Sequence, residues 1–353
     1  MAQKMRAVRL FAPGDVRCVE VDIPKIEQPD DVIVKVKSCG VCGSDIARVM
    51  EKGAYRYPIT IGHEFAGEVA EVGSDEYGIE VGDRVAVMPL IPCGKCKYCA
   101  IGEFVLCDEY QYYGSRIDGA MAEYIRVKAH NILKMPLGVD YEAGSMVDPT
   151  SVGLHAVRKT KIEPGQSGVV FGLGPIGLIT MQWLKALGCD KVFAVDIFDD
   201  KLDLADRLGA DYCINGKKQD AVEAIMELTS GEGVDISIEL AGSIITQDQA
   251  IRATKKMGTV VYCGISYDDL VLSNATVNRI LRGELTIKGS WNSSIAPLPI
   301  NEWESSLKFM KNGKVKVNPL ISHRFRLEEC QECFNMMYHK TEVFNKVLFK
   351  PED

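Results

Sequence analysis

Residues 167–201 read SGVVFGLGPIGLITMQWLKALGCDKVFAVDIFDDK. An apolar run, SGVVF, leads directly into Gly172-Leu-Gly174-Pro175-Ile176-Gly177; an apolar-periodic segment, ITMQWLKALG, and a second apolar run, KVFAVDIF, follow. Strand, glycine turn, helix and strand in this order make a nucleotide-binding unit. The first glycine permits the turn, the second lets backbone approach a pyrophosphate, and the third lets helix and strand pack closely. The helix N-terminus then holds the phosphates. Asp196 ends the second strand nineteen residues after Gly177. A carboxylate there can accept hydrogen bonds from ribose hydroxyls and repels a 2′-phosphate, which favours NAD over NADP. Pro175, Ile176 and, beyond Asp196, Lys201 complete the cofactor-binding candidates. A generic strand-to-helix turn would share the glycines but has no need of an acidic strand end.

The alternation continues outward. DKLDLADRLG reads as a helix, DYCIN, VDISIELAG, GTVVYCGIS and LTIKGSW as strands, with helix patterns near 219–230 and 245–257. Six strands alternating with helices imply a doubly wound parallel sheet, a complete Rossmann domain, over about 157–290. Upstream, from about 7 to 135, short strands broken by turns (DVIVKVKSCG, EFAGEVAEVG, DRVAVMPL, GAMAEYIRV) read as a β-rich module. Downstream, an amphipathic segment near 301–312 and the strand VFNKVLFK fall outside the parallel sheet and are expected to return to the first module. The expected division is therefore 1–156 with 291–353, and 157–290. A chain of 353 residues exceeds the size at which one core usually stops growing, in keeping with two domains.

Pro164–Leu184 carries no charge and has about the length of a membrane span. Its repeated glycines would break such a helix, whereas a strand, a turn and a buried helix explain them all. A formal charge of −8, with Lys and Arg scattered, offers no basic stripe for nucleic acid. The opening MAQKMRAVRLF lacks the order of a signal peptide, so a cytoplasmic location is expected.

Of twelve cysteines, four stand in one short loop, as Cys93-Gly-Lys-Cys96-Lys-Tyr-Cys99 followed by Cys107. Four thiolates so placed can close a tetrahedron around Zn²⁺; the alternatives are two disulfides or free thiols, which the missing export signal disfavours. Such a site has no open position and is structural. A second set is spread wider: Cys42 in CGVCGSD, the pair His63-Glu64 in ITIGHEFAGEV, and Asp148 in MVDPTSVGLHA. A catalytic zinc needs mixed donors and one exchangeable position, which cysteine, histidine and carboxylates supply. Taken singly, each fits an ordinary structural role as well. His63-Glu64 also begins like the metalloprotease helix motif, but Gly67 stands where that motif needs its second histidine.

These motifs, in this order over nearly the whole chain, resemble those of the zinc-containing medium-chain alcohol and polyol dehydrogenases. The resemblance implies a GroES-like, partly open β-barrel catalytic domain, an inserted Rossmann domain, two zinc ions per chain, NAD, and a homodimer or homotetramer. It assigns Cys42, His63 and Glu64 to the catalytic zinc and Cys93, Cys96, Cys99 and Cys107 to the structural one. Asp148 departs from the family's usual glutamate and is one methylene shorter; it is expected to ligate zinc directly or through water. Ser44 matches the start of the family's proton relay, while Ala47 stands where a relay histidine is common. Segments such as YPITIGHEF, YGSRIDGAMAEYI and ILRGELTIKGSW look most like those of a member acting on a sugar-alcohol phosphate; sorbitol, butanediol or threonine dehydrogenases, and a non-enzymatic NAD-binding member, are the rivals. For such a phosphate, Arg48, Lys52, Arg56 and above all Arg116 are the candidate cations, and Trp291 a candidate wall of the substrate site.

Overall fold

The structure, a computed structural model, describes residues 3–297 and 299–352. The chain begins with ten strands: β1 (Lys4–Ala12), β2 (Asp15–Asp22), β3 (Asp31–Gly40), β4 (Ile59–Thr60), β5 (Glu64–Val72), β6 (Arg84–Val87), β7 (Leu90–Ile91), β8 (Gln111–Tyr112), β9 (Tyr124–Lys128) and β10 (Ile132–Lys134). Six follow between helices: β11 (Ser167–Phe171), β12 (Lys191–Asp196), β13 (Tyr212–Asn215), β14 (Val234–Glu239), β15 (Thr254–Tyr262) and β16 (Thr286–Gly289). Two more, β17 (Ile321–Phe325) and β18 (Lys346–Phe349), close the chain.

Two compact units result, one of residues 1–148, 294–311 and 317–353, the other of residues 149–293 and 312–316. In the first, β10-β6-β5-β3-β18-β17 form a sheet that β9 joins through β3, and β2-β1-β4 and β7-β8 form two smaller sheets. Broken pairing of this kind makes the partly open barrel. Its core is built of alternating strand residues, among them Val8, Leu10, Val34, Val36, Phe65, Val85 and Val127, closed by Phe334 of the helix Cys330–His339 and by Phe349. The returning C-terminal segment thus belongs to this core: β18 pairs antiparallel with the end of β3 at Cys39 and Gly40. His63 lies just before a strand and Glu64 starts it, which also removes the helical metalloprotease reading. Gly67 allows that strand to lie against β3, because a Cβ there would sit 2.2 Å from the Lys35 carbonyl oxygen.

In the second unit the strand order is β13-β12-β11-β14-β15-β16, all parallel. The order reverses between β11 and β14, the topological switch point beyond whose carboxyl ends ligands bind in doubly wound sheets. All six residues of β14 are buried, as expected of a central parallel strand covered on both faces. The uncharged stretch 164–184 resolves into β11 and the helix Pro175–Ala186. Among the described residues no helix is long and apolar enough to cross a membrane.

Candidate metal centre and dinucleotide turn

The glycine turn has steric reasons at its first and third glycines. Gly172 has φ +91°, and a Cβ on it would meet the Ala241 nitrogen at 2.6 Å; a Cβ on Gly177 would lie 1.9 Å from the Gly172 carbonyl oxygen. Around Gly174, by contrast, nothing lies within 4 Å, which leaves its backbone open to an approaching phosphate. Pro175 starts the helix, where a missing N–H is harmless. Asp196 is tied to this turn: its carboxylate accepts from Leu173 N at 2.7 Å, and from Ile197 N and Phe198 N at 2.7 and 3.1 Å. Lys201 lies over the Phe198 ring, 5.2 Å from its centroid.

In the barrel unit, Cys93, Cys96, Cys99 and Cys107 bring their sulfurs within 4.8 Å of one another. The Cys96–Cys99 and Cys93–Cys99 sulfur separations are 3.6 and 4.0 Å. A tetrahedron of thiolates with Zn–S of about 2.3 Å has edges of about 3.8 Å, so the loop fits zinc, and no disulfide forms within it. Hydrogen bonds from the backbone at Cys99 and Asp108 lower the Cys96 thiol to about 6, which favours the thiolate a metal needs.

The second set converges as well. Cys42, immediately before the helix Gly43–Ala47, His63 and Glu64 place their donor atoms within 4.8 Å of one another. Asp148 is not part of that set. It is buried beside it, with an Oδ1 that has no hydrogen-bond partner, and burial pushes its carboxyl up to about 7, with Glu64 adding to the rise and His63 opposing it. A mixed sulfur, nitrogen and oxygen donor set next to a buried, unsatisfied carboxylate oxygen fits zinc.

Two side chains that the sequence motifs did not single out hold this centre. Asp45, fully buried, accepts from Cys42 N at 3.1 Å and from Arg48 at 2.5 Å, and its Oδ1 lies 3.4 Å from His63 Nδ1. Burial would raise Asp45, but His63, Arg48 and the Cys42 N–H outweigh it and hold the carboxyl down to about 2. Lys346, only 2% exposed on β18, contacts Glu64 Oε2 and donates to the Val41 carbonyl at 3.1 Å. Gly40 makes room for that pair: a Cβ there would lie 2.4 Å from Glu64 Oε2 and 2.7 Å from Lys346 Cε. Asp45 was visible in CGSD, three residues after Cys42; a lysine inside the apolar run VFNKVLF was the other available signal.

The remaining candidates separate. Ser44 is half-buried in the helix after Cys42, and among the described residues its hydroxyl has no hydrogen-bond partner. Arg48 is paired with Asp45 and Arg56 with Asp118, and Lys52 is exposed. Arg116 sits between the rings of Tyr55 and Tyr110, 4.7 and 4.4 Å from their centroids. Trp291, 53% exposed, follows β16 in the other unit.

Residues 28–137 match the alcohol dehydrogenase GroES-like domain, and residues 175–312 match the zinc-binding dehydrogenase domain. The galactitol 1-phosphate 5-dehydrogenase of Escherichia coli K12 is 38% identical over 92% of this chain and 94% of its own. The crystal structure of galactitol-1-phosphate dehydrogenase from Escherichia coli superposes with a TM-score of 0.93 at 36% identity, covering 98% of this chain and all of that one. Sorbitol dehydrogenase of Bacillus subtilis is 30% identical over 99% of this chain and 98% of its own. A zinc-binding dehydrogenase from Sinorhizobium meliloti, solved bound to NADP, has a TM-score of 0.91 at 31% identity, covering 99% of this chain and 100% of that one. The chain belongs to the zinc-containing alcohol dehydrogenase family. It is an oxidoreductase that acts on an alcohol or polyol with zinc and a nicotinamide dinucleotide.

Proposed function

We propose that this protein oxidises a secondary alcohol of a sugar-alcohol phosphate, with galactitol 1-phosphate giving tagatose 6-phosphate as the reaction to test first. The observation that carries the reading is the convergence of Cys42, His63 and Glu64 around one point, with Ser44 in the adjoining helix. Similarity to the Escherichia coli galactitol 1-phosphate enzyme supports the substrate class. Two zinc ions per chain, NAD in preference to NADP, and a cytoplasmic homodimer or homotetramer belong to the same reading.

Cys42, His63 and Glu64 would hold the catalytic zinc, with Asp148 joining directly or through water, and Cys93, Cys96, Cys99 and Cys107 the structural one. When bound, zinc supplies a Lewis acid for the alcohol oxygen and NAD the hydride acceptor. Asp45 orients the His63 ring by facing one of its nitrogens, so that the other is free for the metal. Lys346 balances the buried Glu64 carboxylate. Ser44 takes the proton of the substrate hydroxyl as the carbinol is oxidised. Ala47 offers no imidazole to pass it on, so the proton leaves through water, substrate hydroxyls or the Glu64 and Asp148 carboxylates. Gly172, Gly174 and Gly177 with Pro175 and Ile176 hold the pyrophosphate, and Asp196 takes the ribose hydroxyls, with Lys201 beside it.

A panel of polyols and polyol phosphates, followed by NADH absorbance, tests the reading. Turnover of galactitol 1-phosphate well above that of galactitol, sorbitol, 2,3-butanediol and threonine is expected. Fastest turnover of sorbitol or butanediol would replace the substrate class, and no turnover of any alcohol would support a non-enzymatic member.

A further inference from the structure

We infer that Arg116, clamped between Tyr55 and Tyr110, recognises the phosphate of the substrate and so sets the specificity of the metal site for phosphorylated polyols; this rests on the dehydrogenase reading above. The first observation concerns charge. Of the arginines near the metal motifs, Arg48 is taken by Asp45 and Arg56 by Asp118. Among the described residues Arg116 has no carboxylate partner: its guanidinium is held only by two ring faces. Rings fix the position of the cation and stack on its face without using its N–H edge, which stays free for an anion. A guanidinium presented in this way matches the bidentate geometry of a phosphate.

The second observation ties this cation to the metal centre. Arg116 lies in a turn in which the backbone N–H groups of Ser115, Arg116 and Ile117 all donate to the Tyr112 carbonyl. That turn is fastened to the segment just before His63. Gly119 N donates to Thr60 O at 2.8 Å, Ala120 N to Gly62 O at 2.9 Å, and Asp118 accepts from Thr60 N at 2.8 Å. Contact between the segments is so close that a Cβ on Gly114 or Gly119 would fall 2.5 or 2.2 Å from the Gly62 carbonyl oxygen. These bonds tie the backbone of the Arg116 turn to the segment that leads into His63.

The third observation is a run of ring contacts from the metal donor to the clamp. His63 meets Tyr112 edge to face at 5.5 Å between centroids, Tyr112 meets Tyr110 at 6.3 Å, and Tyr110 covers the Arg116 guanidinium at 4.4 Å. These contacts link His63 to the guanidinium through Tyr112 and Tyr110, so a ligand that reaches both carries an alcohol at the metal end and an anion at the other. A hexitol phosphate whose C5 alcohol reacts and whose C1 carries the phosphate has that shape. Neutral sorbitol or butanediol would leave the guanidinium without a partner.

The test compares kcat/KM for galactitol 1-phosphate with that for galactitol, taken as a ratio within each protein. In the unaltered enzyme the ratio favours the phosphate by at least about tenfold. Arg116→Ala lowers it by roughly 10- to 100-fold through KM for the phosphate. Arg116→Lys, which keeps the charge but loses the fork, falls between the two and carries the test if the alanine variant does not fold. Arg56→Ala, whose guanidinium is occupied by Asp118, leaves the ratio where it was. A wild-type ratio near one would overturn the substrate class proposed above and this inference with it. A strong wild-type preference that both Arg116 variants retain would overturn the inference alone.

Discussion

Replacing Lys346 by methionine tests how the buried charges of the metal centre are balanced. Lys346 and Glu64 are each 2% exposed and in direct contact, so the substitution leaves a buried carboxylate without its cation. Breaking a buried pair from one side destabilises by about 3–5 kcal/mol, because the remaining charge keeps its desolvation penalty without compensation. For a unit of this size, at about 2–4 °C per kcal/mol, the expected fall in Tm is roughly 10 °C. Calorimetry of the metal-free protein, in which no zinc takes over the neutralisation of Glu64, reads the fall directly. The double variant Lys346→Met with Glu64→Gln removes the orphaned charge and should recover at least about half of the loss, a coupling that separates charge balance from mere packing. A shift under about 2 °C for Lys346→Met, or additive losses in the double variant, would refute the argument.

Other consequences follow from the same geometry. Asp196→Ala should raise KM for NAD and narrow its preference over NADP, because the carboxylate that repels a 2′-phosphate is gone; cofactor kinetics decide this, and an unchanged preference would contradict it. Cys96→Ser should release the metal of the four-cysteine loop and lower thermal stability, read by zinc content and calorimetry, whereas full retention of zinc would show that the loop does not hold it. Burial opposes ionisation of Asp31 and Asp235, but Lys128 and the Glu27 and Gln28 N–H groups for the first, and Lys255 and Ser167 for the second, hold both carboxyls below their ordinary range. A carboxyl depressed in the folded state adds stability that is complete above its unfolded pKa and is lost as pH falls through the folded one. Urea midpoints should therefore drop steadily as pH falls from about 5 to below about 4; midpoints as high at pH 3 as at pH 5 would contradict it.

What was legible in the sequence was local. The strand, glycine turn and helix around Gly172 and the cysteine loop from Cys93 to Cys107 each lie within a short stretch, so their spacing encodes their geometry. The catalytic donors were legible only as an ordered set, since Cys42 and His63 meet through sheet pairing between β3 and β5. Lys346 showed as a lysine inside an apolar run, but its partner did not: it joins Glu64 from 282 residues away, through a register that no local pattern reveals. Asp45 was on the page but silent, because a helical aspartate reads as a cap or a surface charge until His63 and Arg48 are brought beside it. Cations posed a similar difficulty. Arg48 pairs within its own turn, a spacing the sequence displays, whereas the Arg56–Asp118 pair, which occupies the other arginine beside the metal motifs, is long-range.

Metal content and turnover measured together on Cys42→Ser test the central claim most directly. The unaltered protein should carry two zinc ions per chain and reduce NAD with a polyol phosphate. The variant should carry one, form no NADH, and still bind NAD by fluorescence titration, because Gly172, Gly174, Gly177 and Asp196 are untouched. Two zinc ions and undiminished NADH formation in Cys42→Ser would contradict the account.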